Sequence, residues 1–243
     1  VGICAAIQNK YGVDEVPHIL CCGFSKEDTE NFLIDIDFLG IHNVVALRGD
    51  AVKTETYFKP EKNGHAFAKD LVEQIVKMNH GTYLDESLEN SACTDFNIGV
   101  AGYPEKHMEA ASLEQDIYHL KKKVEAGADY IVTQMFFDNQ KYYDFVEKCR
   151  TSGINVPIIP GLKPITTKSQ LSMIPHRFKV DLPNELVIAI AKAKDNKEVK
   201  EIGINWCIQQ SKDLMKNGAP VLHYYSMGKS EVVKRIASEV FKD

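Results

Sequence analysis

Residues 43–50 read NVVALRGD: five largely apolar positions, then a cation, a glycine and an anion. A run this short, rich in valine and leucine and bounded by polar residues, is the pattern of a strand buried on both faces of a parallel sheet. The same pattern recurs at His18–Cys22, Asn97–Tyr103, Tyr130–Phe136, Pro157–Leu162 and Val221–Tyr225. Amphipathic segments with readable ends lie between these runs. Ser25, with Asp28 three residues on, opens KEDTENFLIDIDFLG, and Gly40 closes it. Ser112 and Gln115 form a capping-box signature for LEQDIYHLKKKVEAG, which stops at Gly127. Asp138 is placed to cap NQKYYDFVEKCRTSG, which stops at Gly153. These are the side-chain acceptors and C-terminal glycines that satisfy the orphan backbone groups of helix ends. Residues 183–217 read as two consecutive helices broken near Asp195–Asn196.

Strict alternation of strand and helix means parallel strands joined by right-handed crossovers. Two architectures satisfy it, a doubly wound open sheet and a (βα)8 barrel. No G-x-G-x-x-G turn follows the first strand, so an α/β chain built as a (βα)8 TIM barrel is expected. Six strands are legible, and the chain opens on a helix-like stretch, VGICAAIQNKYG. The first strand or strands and the first helix are therefore expected upstream, with residues 1–243 forming a single, N-terminally truncated barrel domain.

Composition narrows the classes of partner. A chain of 243 residues with 44% hydrophobic content can bury a sizeable core. A net charge of -5 argues against a nucleic-acid footprint. No run approaches the roughly 18 apolar residues of a membrane helix, and the opening residues do not read as a signal peptide. The six cysteines show no paired metal spacing and read as free thiols of a reducing compartment. A cytoplasmic protein with no metal, membrane or nucleic-acid partner is the expectation. The exposed surface of the 183–217 helices suits a homo-oligomer.

In barrels, chemistry gathers at the C-terminal ends of the strands. Here those ends carry Arg48-Gly49-Asp50, Tyr103-Pro104-Glu105 with His107, Gln134, Gly161 with Lys163, and Tyr225-Ser226, while His18 sits near the start of its strand. Taken singly, each is an ordinary solvated loop residue or a satisfied interior polar group. Arg-Gly-Asp by itself is a tripeptide that chance supplies in about 3% of chains this long. Polar groups at most of the strand ends together point to a site. A second cluster, Asp116, His119, Lys122 and Lys123, falls on one helix face at i, i+3 and i+6/i+7 spacing. It is either a solvated face or a mixed donor and acceptor set suited to a ribose and a pyrophosphate.

The segments PHILCC, NVVALRGD, VAGYPEKHMEA, DIYHLKKKVEAGADYIVTQMFFD, PIIPGLKPIT and LHYYSMGKSE, in this order, resemble the methylenetetrahydrofolate reductases in their compact bacterial form. The likeness runs from about residue 14 to the C-terminus. It implies a barrel that holds FAD, takes hydride from NADH or NADPH and passes it to 5,10-methylenetetrahydrofolate. The product is 5-methyltetrahydrofolate for methionine biosynthesis, and the two substrates use one flavin face in turn. The resemblance assigns flavin contacts to His18, Arg48, Gly49, Asp50, Ala68, Tyr103, His107, Asp116, Lys122 and Lys123. Phe67 stands where tyrosine occurs in the family, and His119 where asparagine is found. Asp50 resembles the carboxylate that faces flavin and folate. Gln134 and Gln170 match substrate-contacting glutamines, and Tyr225 falls near the nicotinamide and folate site. Lys229 replaces an arginine beside the folate glutamate tail. The family's general acid lies on the first barrel strand, and no residue of this chain takes its place. The competing expectations are a flavin-binding barrel without turnover and another barrel flavoenzyme such as a proline dehydrogenase. An Arg-Gly-Asp adhesion protein ranks below both.

Overall fold

A computed structural model describes residues 1–51 and 57–242. In chain order the elements are α1 (Gly2–Tyr11), β1 (His18–Leu20), α2 (Lys26–Phe38), β2 (Asn43–Leu47), α3 (Ala68–Asn79), β3 (Asn97–Gly102), α4 (Leu113–Glu125) and β4 (Tyr130–Met135). They continue with α5 (Asn139–Thr151), β5 (Ile158–Leu162), α6 (Gln170–Phe178), α7 (Asn184–Lys192), α8 (Asn196–Lys216), β6 (His223–Tyr224) and α9 (Ser230–Val240). The strands hydrogen-bond in chain order, β1-β2-β3-β4-β5-β6, as an α/β fold requires when each crossover returns to the adjacent position. Pairing is parallel, with His18 level with Val45, Asn43 with Asn97, and Gly161 with His223. Among the described residues, no helix is long and apolar enough to cross a membrane.

The chain divides into two compact units. The first comprises Val1–Ala101 and Leu120–Ile131. Its core is made by Val44, Val45 and Ala46 of β2, Leu33 and Ile36 of α2, and Leu71, Val72, Ile75 and Met78 of α3. The α2 cap forms as its sequence requires. Ser25 Oγ accepts the Asp28 N–H at 3.1 Å while the Asp28 carboxylate accepts the Ser25 N–H at 3.0 Å. Those bonds to Ser25 hold the Asp28 carboxyl below its ordinary pKa. Tyr130 fixes the inside of this unit. Its ring lies over Gly99 of β3, and its hydroxyl donates to the Val44 carbonyl of β2 at 3.0 Å. A Cβ on Gly99 would stand 2.5 Å from Tyr130 Cζ, so the crossing exists only because position 99 has no side chain.

The second unit comprises Gly102–His119 and Val132–Asp243. Met135, Phe137, Ile165, Ile174, Leu186 and Val199 are among its buried core residues, with Trp206 packed against them and donating its indole N–H to the Phe137 carbonyl at 3.0 Å. Asp195 caps α8 by accepting the N–H groups of Lys197 and Glu198 at 2.9 Å. Gly203 of α8 meets the Ile165 carbonyl so closely that no side chain fits between them. Tyr225 repeats the device of Tyr130. Its ring lies over Gly161 of β5, where a Cβ would come within 2.7 Å, and its hydroxyl donates to the Thr133 carbonyl of β4 at 2.8 Å.

All six expected strands form, with ends trimmed by one or two residues. Cys21 and Cys22 leave the regular strand, yet their N–H groups still reach the Leu47 and Arg48 carbonyls at 3.0 Å. Three helices, α3, α6 and α9, begin behind Phe67, Ser169 and Lys229, none of which gives a side-chain cap bond. Ser169 is a capping residue type whose side chain is not used as a cap, and α6 also carries Pro175 inside it.

The Gly99–Tyr130 crossing is open to test. Gly99→Ala is expected to lower stability by about 2 kcal/mol through overpacking, read as a shifted denaturant midpoint. Tyr130→Phe, which keeps the ring, should cost about 1 kcal/mol for the lost hydroxyl bond. An unshifted midpoint for Gly99→Ala would mean that Tyr130 does not cross β3.

Candidate functional site

The strand ends of the first unit carry an unusual turn. Beyond β2 the backbone runs Arg48-Gly49-Asp50 with Gly49 at φ +84°, a conformation that L side chains rarely adopt. A Cβ there would also stand 2.8 Å from Cys22 Cβ. Position 49 is therefore glycine for two separate reasons. The turn sends its two charges different ways. The Arg48 guanidinium rests on the Phe58 ring, 5.1 Å from its centroid, and Asp50 faces solvent. His18 sits at the other end of β1, level with Val45 rather than with Arg48, and desolvation holds its pKa below the ordinary histidine value. Phe67 and Ala68 form the start of α3, with Phe67 62% exposed. At the far end of α4, Lys123 donates to the Ala101 carbonyl near the end of β3, while Lys122 pairs with Glu125 at 2.8 Å.

In the second unit the loop after β3 is built around His107. Its ring meets Tyr103 edge-on with centroids 4.8 Å apart. Its Nδ1 accepts the Glu109 N–H at 3.2 Å, which makes Nε2 the nitrogen that carries the hydrogen in the neutral ring. Its backbone N–H donates to the Asp116 carboxylate at 2.8 Å, tying the loop to the first turns of α4. His119 is exposed on the same helix, edge-on to Tyr118 at 5.5 Å. Asp116 is thus brought to His107, whereas His119 stands apart from that loop's hydrogen bonds.

The two glutamines share one arrangement. Gln134 Oε1 accepts the Met135 N–H at 3.0 Å, and Gln170 Oε1 accepts the N–H groups of Thr166 and Thr167 at 2.6 and 3.1 Å. In each case backbone donors orient the amide through its oxygen, so its NH2 is what it presents outward. Tyr225 has its hydroxyl committed to Thr133 and its ring edge-on to His223 at 4.7 Å. Burial pushes its phenol up to about 12. Lys229 is exposed at the head of α9. The thiols of Cys21, Cys149 and Cys207 are buried and pushed up to about 12, which keeps them protonated and unreactive at neutral pH.

Sequence patterning underrates Glu105. It lines a cavity of about 400 Å³ together with Lys141, Asp144, Lys148, Lys179 and Asp181. Its side chain is 10% exposed, accepts the Asp181 N–H at 3.1 Å and lies 3.9 Å from the Lys141 ammonium. Burial raises its carboxyl to about 7, against the partial relief given by the Asp181 N–H. Only the remote residues Lys141 and Asp181 reveal this, so no local pattern announces it.

A family profile described as methylenetetrahydrofolate reductase matches residues 1–240. The chain is 36% identical over 235 residues to methylenetetrahydrofolate reductase (NADH) 1 of Arabidopsis thaliana, covering 93% of this chain and 38% of that protein. It is 32% identical over 231 residues to 5,10-methylenetetrahydrofolate reductase of Escherichia coli (strain K12), covering 95% and 71%. The chain therefore spans under two-fifths of the plant relative's length but most of the bacterial one. Among solved structures, a 2,3-dimethylmalate lyase of the PEP mutase/isocitrate lyase superfamily superposes with a TM-score of 0.50 at 10% identity, covering 97% of this chain and 62% of that one. That likeness concerns the fold alone.

Glu105 carries a pH signature. Its carboxyl ionises near 4.5 in the unfolded chain and near 7 in the folded one, so between these values the folded protein holds one more proton. Stability from this group therefore falls as pH rises from 4.5 to 7, by roughly 1–3 kcal/mol, and is flat above. Glu105→Gln should raise the Tm at pH 8 and leave it unchanged at pH 4, where both side chains are neutral. A pH-independent difference between the two proteins would remove the buried carboxyl from the account.

Proposed function

Because the chain belongs to the methylenetetrahydrofolate reductase family, we propose that it reduces 5,10-methylenetetrahydrofolate to 5-methyltetrahydrofolate, with FAD as its bound carrier and NADH or NADPH as hydride donor. On this proposal the six strands belong to a (βα)8 barrel that acts as one catalytic domain, and the product serves methionine biosynthesis in the cytoplasm. The observation that carries the proposal is the Arg48-Gly49-Asp50 turn. It is held against Cys22 at a position where a side chain would clash and strain the backbone, at a strand end where barrel chemistry is done.

The residues suit a flavin dinucleotide. Gly49 supplies the left-handed turn that ends β2 against Cys22 and presents its flanking backbone at the strand end. Arg48, Lys122 and Lys123 supply positive charge for a diphosphate. His107 offers an Nε2–H donor oriented by Glu109, and Asp116 fixes the loop that carries it. Tyr103, Phe67, His18, Ala68 and His119 complete the assigned set, Tyr103 and Phe67 as ring surfaces. When bound, FAD supplies a ring that accepts hydride from the nicotinamide and gives it to the folate.

The remaining roles belong to the chain itself. Asp50 places a fixed negative charge that favours a cationic iminium form of the folate, an effect enlarged where water is excluded. Gln134 and Gln170 turn their NH2 groups to the amide-like edge of the pterin, each held in that orientation by the backbone bonds to its oxygen. Tyr225 presents a ring fixed by its own hydroxyl bond and packs beside the nicotinamide or folate. Lys229 meets the glutamate tail as a point charge without the planar fork of an arginine.

The purified protein should show a flavin absorption spectrum that anaerobic NADH bleaches and methylenetetrahydrofolate restores. A colourless protein that takes up no added FAD would overturn the proposal. Asp50→Asn should keep the flavin but slow the folate half-reaction at least about tenfold more than the nicotinamide half-reaction. Equal slowing of the two would remove the charge role given to Asp50.

A further inference from the structure

The residue after β5 is Lys163, and it is only 9% exposed. A lysine this deep normally has a counter-charge, because desolvating an ammonium without one is costly. Among the described residues Lys163 has neither a carboxylate partner nor a hydrogen-bond acceptor for its ammonium. The charge that acts on it has the wrong sign. Lys229, in the turn after β6, adds its repulsion to desolvation, and together they hold the Lys163 pKa below the ordinary lysine value. Lys163 Nζ is not one of the buried atoms shut off from solvent without a partner, as Glu15 Oε2 and His65 Nδ1 are. Its head therefore opens onto reachable space while its stem is buried.

The backbone around it is rigid. Pro164 follows, and both Pro164 and Ile165 are buried. The Ile165 carbonyl sits against Gly203, and the Thr166 and Thr167 N–H groups are held by Gln170. Side-chain alternation puts Lys163 on the same sheet face as Gly161, the face the Tyr225 ring covers, with the fully buried Leu162 on the other. Lys163, Lys229, Tyr225 and Gln170 are thus all carried by the strand ends and turns of the second unit, and the last three are the positions assigned above to substrate. Two cations without an anion, one of them buried, describe half of a site.

We propose that Lys163 is a specificity-determining residue which, with Lys229, binds the carboxylates of the folate glutamate tail. This rests on the proposed function. A phosphate of NADPH would present similar anionic oxygens, so the test separates the two. Calorimetry on the FAD-loaded protein measures 5-methyltetrahydrofolate against its tail dimethyl ester, which keeps the pterin and loses both charges. The wild type should bind the acid about tenfold or more tighter than the ester. Lys163→Met should erase most of that preference by weakening the acid alone, with the ester, NADH and NADPH unaffected, and Lys163→Arg should restore it. The exposed Lys229→Gln variant repeats the measurement where folding is not at stake, and it should also lower the preference. Equal loss of acid and ester in Lys163→Met, or no preference in the wild type, would overturn the inference and leave the function standing. Weakened NADPH with unchanged folate would assign the cation to a phosphate instead and overturn it too. A wild type that binds neither folate would overturn the function and the inference together.

Discussion

A tyrosine can lie flat across the neighbouring strand of a sheet only if that strand gives up its side chain at the crossing. The molecule uses this constraint twice. Tyr130 passes over Gly99 to reach the Val44 carbonyl, and Tyr225 passes over Gly161 to reach the Thr133 carbonyl. In each case a large ring fills the space above the sheet and its hydroxyl is satisfied at a fixed backbone atom, which a buried phenol requires. The glycines therefore count as packing residues rather than flexible ones.

The same economy shapes the loops. At Arg48-Gly49-Asp50 the left-handed glycine turns the chain between two opposite charges, one of which rests on the Phe58 ring while the other is exposed. At Gln134 and Gln170 the amide oxygens are taken by backbone N–H groups, which converts two flexible side chains into aimed donors. The loop from Tyr103 to His107 is held by a ring contact, a backbone bond to Asp116 and a bond from the Glu109 N–H to the His107 ring. Preorganisation of this kind is what the proposed hydride-transfer site would ask of a protein whose cofactor carries the chemistry.

Much of this is local enough to be legible in the sequence. Each strand is a short apolar run with polar ends, and α2, α5 and α8 are announced by Ser25, Asp138 and Asp195, so their places follow from neighbours within four residues. The α4 signature is only half realised. Ser112 Oγ accepts the Gln115 N–H at 3.2 Å, but Gln115 Oε1 takes the Ala111 N–H instead of that of Ser112. Helices α3, α6 and α9 begin behind Phe67, Ser169 and Lys229 with no side-chain cap bond, so local hydrogen bonding does not mark their starts. Among site residues, Arg48 and Asp50 stand out because charge after an apolar run is conspicuous. Glu105 and Lys163 do not, because their character comes first from burial by the folded chain, with Asp181 and Lys229 acting on them from more than sixty residues away in each case.

Helix α4 binds the chain at both of its ends. Near its start Asp116 accepts the His107 N–H, and near its finish Lys123 donates to the Ala101 carbonyl. The two bonding residues lie seven positions apart on one helix, so their spacing along it is set by the helical rise of about 1.5 Å per residue. Inserting or deleting one residue between them would turn Lys123 by about 100° around the helix axis and break its bond to β3. Divergence along this stretch can therefore proceed by substitution but not by change of length.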